Sequence, residues 1–137
     1  MDARSKDPQK LVNAVSVKLS ESKEFEPPQW SKFVKTGAAK VRNPDDQNWW
    51  FVRTASILRR IYIDGPGGTS RLRTVYGSRK KRGTARERTY RGSGSIIRKI
   101  LQQLEKSGMV KKTEKPKKGR TITPKGQKFI ESVAKTV

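Results

Sequence analysis

From Gly77 to Ser95 the chain offers almost nothing to a hydrophobic core: Ala85 and Tyr90 are its only apolar or aromatic side chains. On both sides of this gap apolar residues recur at helical spacing. A chain patterned in this way can fold into one body assembled from its two ends, with the gap as an excursion from that body. The gap is also where charge collects. Residues 65–99 hold 11 basic side chains against the single acid Glu87, a net of +10. Residues 1–64 net +4 and residues 100–137 net +7, so the 137-residue chain carries +21.

Charge of one sign on this scale opposes compactness by self-repulsion, and binding phosphates relieves it. The expected partner is a polyanion: nucleic acid first, an anionic membrane surface second. Leu, Ile, Val and Phe number 28 of the 137 residues, at the edge of compositions that stay disordered. Their concentration into periodic segments argues for a folded body. There is no Cys and no His, which removes thiol nucleophiles, thiolate zinc sites and the usual imidazole base. No cofactor and no small-molecule substrate are expected. No apolar run approaches the ~18 residues of a membrane span, and no signal-like segment opens the chain, so a soluble, intracellular protein is expected.

Local signals place the elements. Asp7-Pro8 should cap a helix whose stripe is Leu11, Val12, Val15 and Leu19. Pro27-Pro28 stops it, and Trp30, Phe33 and Val34 suggest a short helical turn. Asn43-Pro44-Asp45-Asp46 reads as the strongest helix start, opening a central helix from Gln47 to about Asp64. Gly65-Pro66-Gly67-Gly68 ends it, and a short helix from Ser70 to about Tyr76 follows.

The excursion, about residues 77–94, carries Arg79, Lys80, Lys81, Arg82, Arg86, Arg88 and Arg91 among glycines and serines, a composition that argues against regular structure. It reads either as a solvated loop or as one that is mobile when free and orders on RNA. Ser95 should cap the next helix, with Ile96, Ile97, Ile100, Leu101 and Leu104 on one face and Arg98, Lys99, Gln102, Gln103 and Lys106 on the other. Gly108 suits its left-handed cap. A β-hairpin is expected over about residues 109–123, with a basic tip from Lys111 to Arg120 around Pro116. Thr123-Pro124 then restarts a helix with Phe129, Ile130 and Val133 inward. Helix, hairpin, helix suggests a mainly α, winged-helix-like domain with a small C-terminal β-hairpin, spanning residues 1–137 as one unit.

Several of these runs resemble a known family. The segment Trp49-Trp50-Phe51-Val52-Arg53-Thr54-Ala55-Ser56-Ile57-Leu58-Arg59-Arg60-Ile61-Tyr62 is similar to the central helix of the archaeal and eukaryotic small-subunit ribosomal protein nineteen-e family. Leu72-Arg73-Thr74-Val75-Tyr76-Gly77, Gly92-Ser93-Gly94-Ser95-Ile96-Ile97-Arg98, Leu101-Gln102-Gln103-Leu104-Glu105 and Gly119 to Gln127 also fit, in the family's order and spacing. Together with Pro28-Gln29-Trp30 and Val34-Lys35-Thr36 they cover about residues 25–130, and the spelling of the helices looks archaeal.

The resemblance implies a winged-helix-like fold bound to ribosomal RNA in the head of the small subunit. It also implies a role in subunit assembly, neighbouring ribosomal proteins as partners, and a cytoplasmic, ribosome-bound location. It places the arginines matching Arg53, Arg59 and Arg98 on an RNA-facing basic surface.

The residues themselves partly agree. Arg53 and Arg60 are seven apart and share a helix face, while Arg59 lies about 100° away. Arg53 reads equally well as a side chain lying over the core or paired internally. The candidate RNA-binding set is therefore Arg53, Arg59, Arg60, the seven basic residues of the excursion, Arg98 and Lys99. Trp49, Trp50 and Phe51 read as packing groups, and Asp45-Asp46 as a cap in place of an acid–base pair. The alternative is a winged-helix DNA-binding transcription regulator reading bases with residues 95–107, but no dimerisation element is evident. An enzyme acting on nucleic acid is weaker still, for want of His, Cys or a separated carboxylate cluster.

Overall fold

The computed structural model describes residues 2–114 and 118–137. Its elements in chain order are α1 (Pro8–Ser20), α2 (Trp49–Asp64), α3 (Thr69–Val75), β1 (Ser78–Arg82), β2 (Ala85–Tyr90), α4 (Gly94–Ser107), β3 (Val110–Thr113), β4 (Gly119–Ile122) and α5 (Pro124–Thr136). Single turns of tighter helix lie at Ala3–Ser5, Lys23–Phe25 and Gln29–Lys32. The strands form two separate antiparallel pairs, β1 with β2 and β3 with β4. The fold is mainly α with a C-terminal hairpin between two helices.

α1 forms where its cap and stripe call for it. Asp7 Oδ1 accepts from the amides of Gln9 (3.0 Å) and Lys10 (3.4 Å), and Pro8 occupies the first position, where no amide is needed. Leu11, Val15 and Leu19 are buried against α2, the central helix, which itself buries Trp50, Ala55, Ile57, Leu58, Ile61 and Tyr62. The indole N–H of Trp50 donates to Gln103 Oε1 at 3.0 Å, so the largest buried side chain is polar-satisfied.

The start of α2 differs from the sequence expectation. The helix begins at Trp49, with Asn48 as its cap and no side-chain capping bond. Asp46 Oδ1 instead accepts from Asn48 N at 2.9 Å, and Asp45 pairs with Arg42 at 3.0 Å. Short acidic side chains satisfied by neighbouring groups hold the chain in a turn, which delays the helix.

α4 buries all five of the expected residues, Ile96, Ile97, Ile100, Leu101 and Leu104. Its cap is Ser93, two residues before the expected Ser95. The amide of Ser93 donates to Thr36 O at 2.9 Å, which fixes the extended residue from which the helix departs. Gly108 ends it with φ +86°. There Met109 N donates to Leu104 O and Gly108 N to Glu105 O, the paired bonds of a left-handed helix stop.

The hairpin that follows pairs Val110 with Ile122 and Thr113 with Gly119. Of its expected tip, Lys115, Pro116 and Lys117 lie outside the described residues. This hairpin is seated on the body. Gly67 and Arg120 exchange backbone hydrogen bonds of 3.1 and 3.0 Å, and Arg120 Nε reaches Glu105 Oε2 at 3.3 Å. α5 starts on Thr123, whose hydroxyl accepts from Gly126 N (3.3 Å) and donates to Gly108 O (2.6 Å). It buries Ile130, Val133 and Ala134. Among the described residues no helix is long and apolar enough to cross a membrane.

Candidate nucleic-acid interface

The excursion is not irregular. β1 and β2 form a ribbon with Ser78 opposite Tyr90, Arg79 opposite Thr89 and Lys80 opposite Arg88, and a register shift between Lys80 and Arg82. Gly83, at φ +69°, occupies the first position of the two-residue turn joining them, a conformation glycine takes without strain. Every residue from Lys81 to Thr89 is exposed. With no buried face, the ribbon has no apolar–polar alternation by which a sequence reading could find it.

Its charges are only partly answered within the ribbon. Arg79 Nη1 lies 3.8 Å from Glu87 Oε2, and Arg82 Nε donates to the backbone oxygen of Arg86 at 2.8 Å. The Lys80 ammonium stands 5.7 Å from the centre of the Tyr90 ring. Lys80 also faces Arg88 directly, a like-charge pairing that opposes strand association.

The root of the ribbon is made of backbone. A Cβ on Gly77 would sit 2.6 Å from Tyr90 O, which excludes a side chain there, and one on Gly92 would sit 3.1 Å from Tyr76 O, tight enough to push the neighbouring backbone aside. Gly92 N donates to Arg73 O and Arg73 Nε returns a bond to Gly92 O, both at 2.9 Å. Arg91 Nη2 donates to the backbone and side-chain oxygens of Ser70, each at 2.6 Å. Arg91 thus serves the anchor as well as the basic surface.

Beside the root, α2 and α3 place a second group of cations around Tyr76. The Arg53 guanidinium lies over the ring, 4.3 Å from its centre, and Ser56 Oγ is 2.6 Å from the phenol oxygen. Burial raises the Tyr76 phenol above its ordinary value; the Ser56 hydrogen bond and the charges of Arg53, Arg60 and Arg59 oppose that rise. Burial also draws Arg53 below its ordinary value, opposed by Tyr76. Arg60 pairs with Asp64 at 3.2 Å, and Arg59 holds its Nε buried with no hydrogen-bond partner. The structure therefore gathers Arg53, Arg59 and Arg60 around one aromatic ring. Arg98 and Lys99 are exposed on α4.

The sequence profile of the family described as Ribosomal protein S19e matches residues 3–137. The chain belongs to this family. It is similar to a small ribosomal subunit protein eS19 of Aeropyrum pernix, 45% identical across 93% of this chain and 83% of that protein. The protein of the same name from Thermoplasma acidophilum is 41% identical over the same shares. One from Mya arenaria is 37% identical over 90% of this chain and 82% of its own. The role of an S19e-family protein is that of a structural constituent of the ribosome.

In this S19e-family chain four residues of the root and its surroundings, Arg73, Tyr76, Gly77 and Gly92, carry no site role in the sequence analysis, where they stand only within runs that resemble the family. The available signal was the symmetry of the two glycines: one precedes and one follows a polar segment, as close backbone approach requires at both feet of a ribbon.

Proposed function

We propose that this chain is a structural constituent of the small ribosomal subunit, in the cytoplasm. In this reading residues 1–137 act as a single domain that binds ribosomal RNA in the subunit head beside neighbouring ribosomal proteins and supports subunit assembly. The observation that carries the RNA reading is the ribbon: nine consecutive exposed residues, Lys81 to Thr89, bear Lys81, Arg82, Arg86 and Arg88 and only Glu87 in opposition.

A ribbon of this kind follows phosphates by displacing their counterions, with Arg supplying bidentate contacts and Lys point charges. Arg79, Lys80 and Arg91 extend the track to the root. There Arg53 rests on Tyr76, with the charge of Arg59 felt at the same ring. Arg60, Arg98 and Lys99 complete the surface. The DNA-regulator reading loses ground at Gln103. Its side chain accepts from Trp50 and donates to Glu26 O at 2.9 Å, so it is committed to the body.

Crosslinking of the protein to RNA in purified small subunits, with mass spectrometry of the joined peptides, tests this. Crosslinks are expected in residues 79–91 and around Arg98. Co-sedimentation with the subunit but no crosslink in either segment would reject the interface. Failure to sediment with the subunit would reject the function.

A further inference from the structure

A groove of about 630 Å³ lies between the turn at residues 29–35 and the start of α4, lined by Trp30, Phe33, Val34, Lys35, Ser93 and Ser95. We propose that it receives one unpaired RNA nucleotide, its base against Phe33 and Trp30 and its phosphate at Lys35. This inference rests on the RNA-binding reading above and names a contact that reading does not require.

Three observations carry it. The first is the exposure of large aromatic surface: Phe33 is 79% exposed and Trp30 38%. A single exposed apolar residue is ordinary, but two aromatics and the half-buried Val34 on one groove make a patch.

The second is rigidity. Trp30 stands edge-on to Trp50, ring centres 5.8 Å apart, and Trp50 is fixed by burial and by Gln103. Phe33 N donates to Trp30 O at 3.1 Å, and the buried Ser31 hydroxyl to Pro28 O at 2.6 Å. Trp30 and the backbone that carries Phe33 are held before any ligand arrives, which lowers the entropy cost of binding.

The third is charge. Residues 27–44 contain Lys32, Lys35, Lys40 and Arg42 and no carboxylate, and residues 88–104 contain Arg88, Arg91, Arg98 and Lys99 and no carboxylate. The groove is formed where these two acid-free segments meet, joined by the Ser93–Thr36 hydrogen bond and the pairing of Gly37 with Gly92. It is thus continuous with the root of the ribbon.

These features select the ligand. An aromatic platform takes any base with a free face, the serine hydroxyls of positions 93 and 95 can meet base edges, and the lysine suits a phosphate. Bases in a paired stem have no free face, so the groove recognises a bulged or looped-out nucleotide. The ribbon would hold the RNA backbone, and the groove would fix its register.

The test uses two RNA duplexes alike except for one bulged adenosine, with affinities measured at one salt concentration. Wild-type protein should prefer the bulged duplex by about tenfold or more, the scale of one stacked base. Phe33→Ala should abolish that preference and leave affinity for the plain duplex unchanged, while Phe33→Tyr should keep it. Lys81→Ala should weaken both duplexes equally. Thermal melts of the Phe33 variants should match wild type, since the ring is mostly in solvent. A wild type without preference, or a preference that survives Phe33→Ala, overturns the proposal. So does a Phe33→Ala protein that binds both RNAs as wild type does but fails to enter small subunits, since the groove then serves a protein. Binding to neither duplex would instead overturn the RNA-binding reading on which the proposal stands.

Discussion

The two hairpins are both short, antiparallel and basic, yet the body treats them differently. β3–β4 buries Val110, exchanges main-chain bonds with Gly67 and tucks the Arg120 side chain against Glu105, leaving it 14% exposed. β1–β2 buries nothing between Lys81 and Thr89 and is bonded to the body at its root. An isolated two-stranded hairpin is marginally stable in water, and the Lys80–Arg88 pairing weakens this one further. The same local architecture is thus a structural brace in one place and an offered surface in the other. Seating decides which, because charge is similar in both.

That contrast can be broken most forcefully with salt. If six of the basic groups between Arg79 and Lys99 meet phosphates, raising salt from about 50 to 200 mM should lower RNA affinity on the order of a thousandfold. Replacing residues 79–89 with a short Gly-Ser link should remove most of that slope and leave the thermal midpoint within a few degrees. An unchanged slope would mean that the ribbon is not the electrostatic track.

Gly126→Ala probes the opposite case. The new Cβ would stand 2.5 Å from Met109 O and 2.9 Å from Ile122 Cγ1, forcing the seated hairpin from α5. A loss of about 2–3 kcal/mol in denaturant unfolding is expected, in the range of overpacked sites, with the salt slope of RNA binding retained. Replacing Lys80 and Lys81 with Ala should reverse that pattern: stability holds, and the slope falls by about two contacts. The smallest effect should come from Arg120→Ala, which removes a partly buried ion pair but not the main-chain bridge. About 1 kcal/mol of stability is expected to go, read by the same unfolding curves. A loss as large as that of Gly126→Ala would show that the side chain, more than the backbone, seats the hairpin.

The body was legible because burial imposes a period. α4 carries five inward residues at helical spacing, and each is buried; Gly108 and Thr123-Pro124 act where their backbone chemistry places them. Fully exposed structure left no such trace. The ribbon's strands alternate nothing, so their composition suggested an irregular loop. Caps were legible in kind but not in position: Ser93 displaced Ser95 because Thr36, distant in sequence, holds its amide. Asp45 and Asp46 found partners in Arg42 and the Asn48 amide and did not join the helix. The basic residues are plain in the sequence, but the meeting of Arg53 with Tyr76 depends on how the residue that ends α3 contacts α2.

The glycine root of the ribbon has an evolutionary consequence. Because main-chain atoms of Tyr76, Tyr90 and Arg73, with the side chains of Arg73 and Arg91, set the direction in which the ribbon leaves the body, that direction does not depend on the side chains of residues 79–89. Residues 79–89 can therefore diverge among descendants, lengthen, or be exchanged for a foreign hairpin without redirecting the graft, as long as the glycines at 77 and 92 and the anchoring Arg73 and Arg91 remain. Selection on what is recognised is uncoupled from selection on where it is presented.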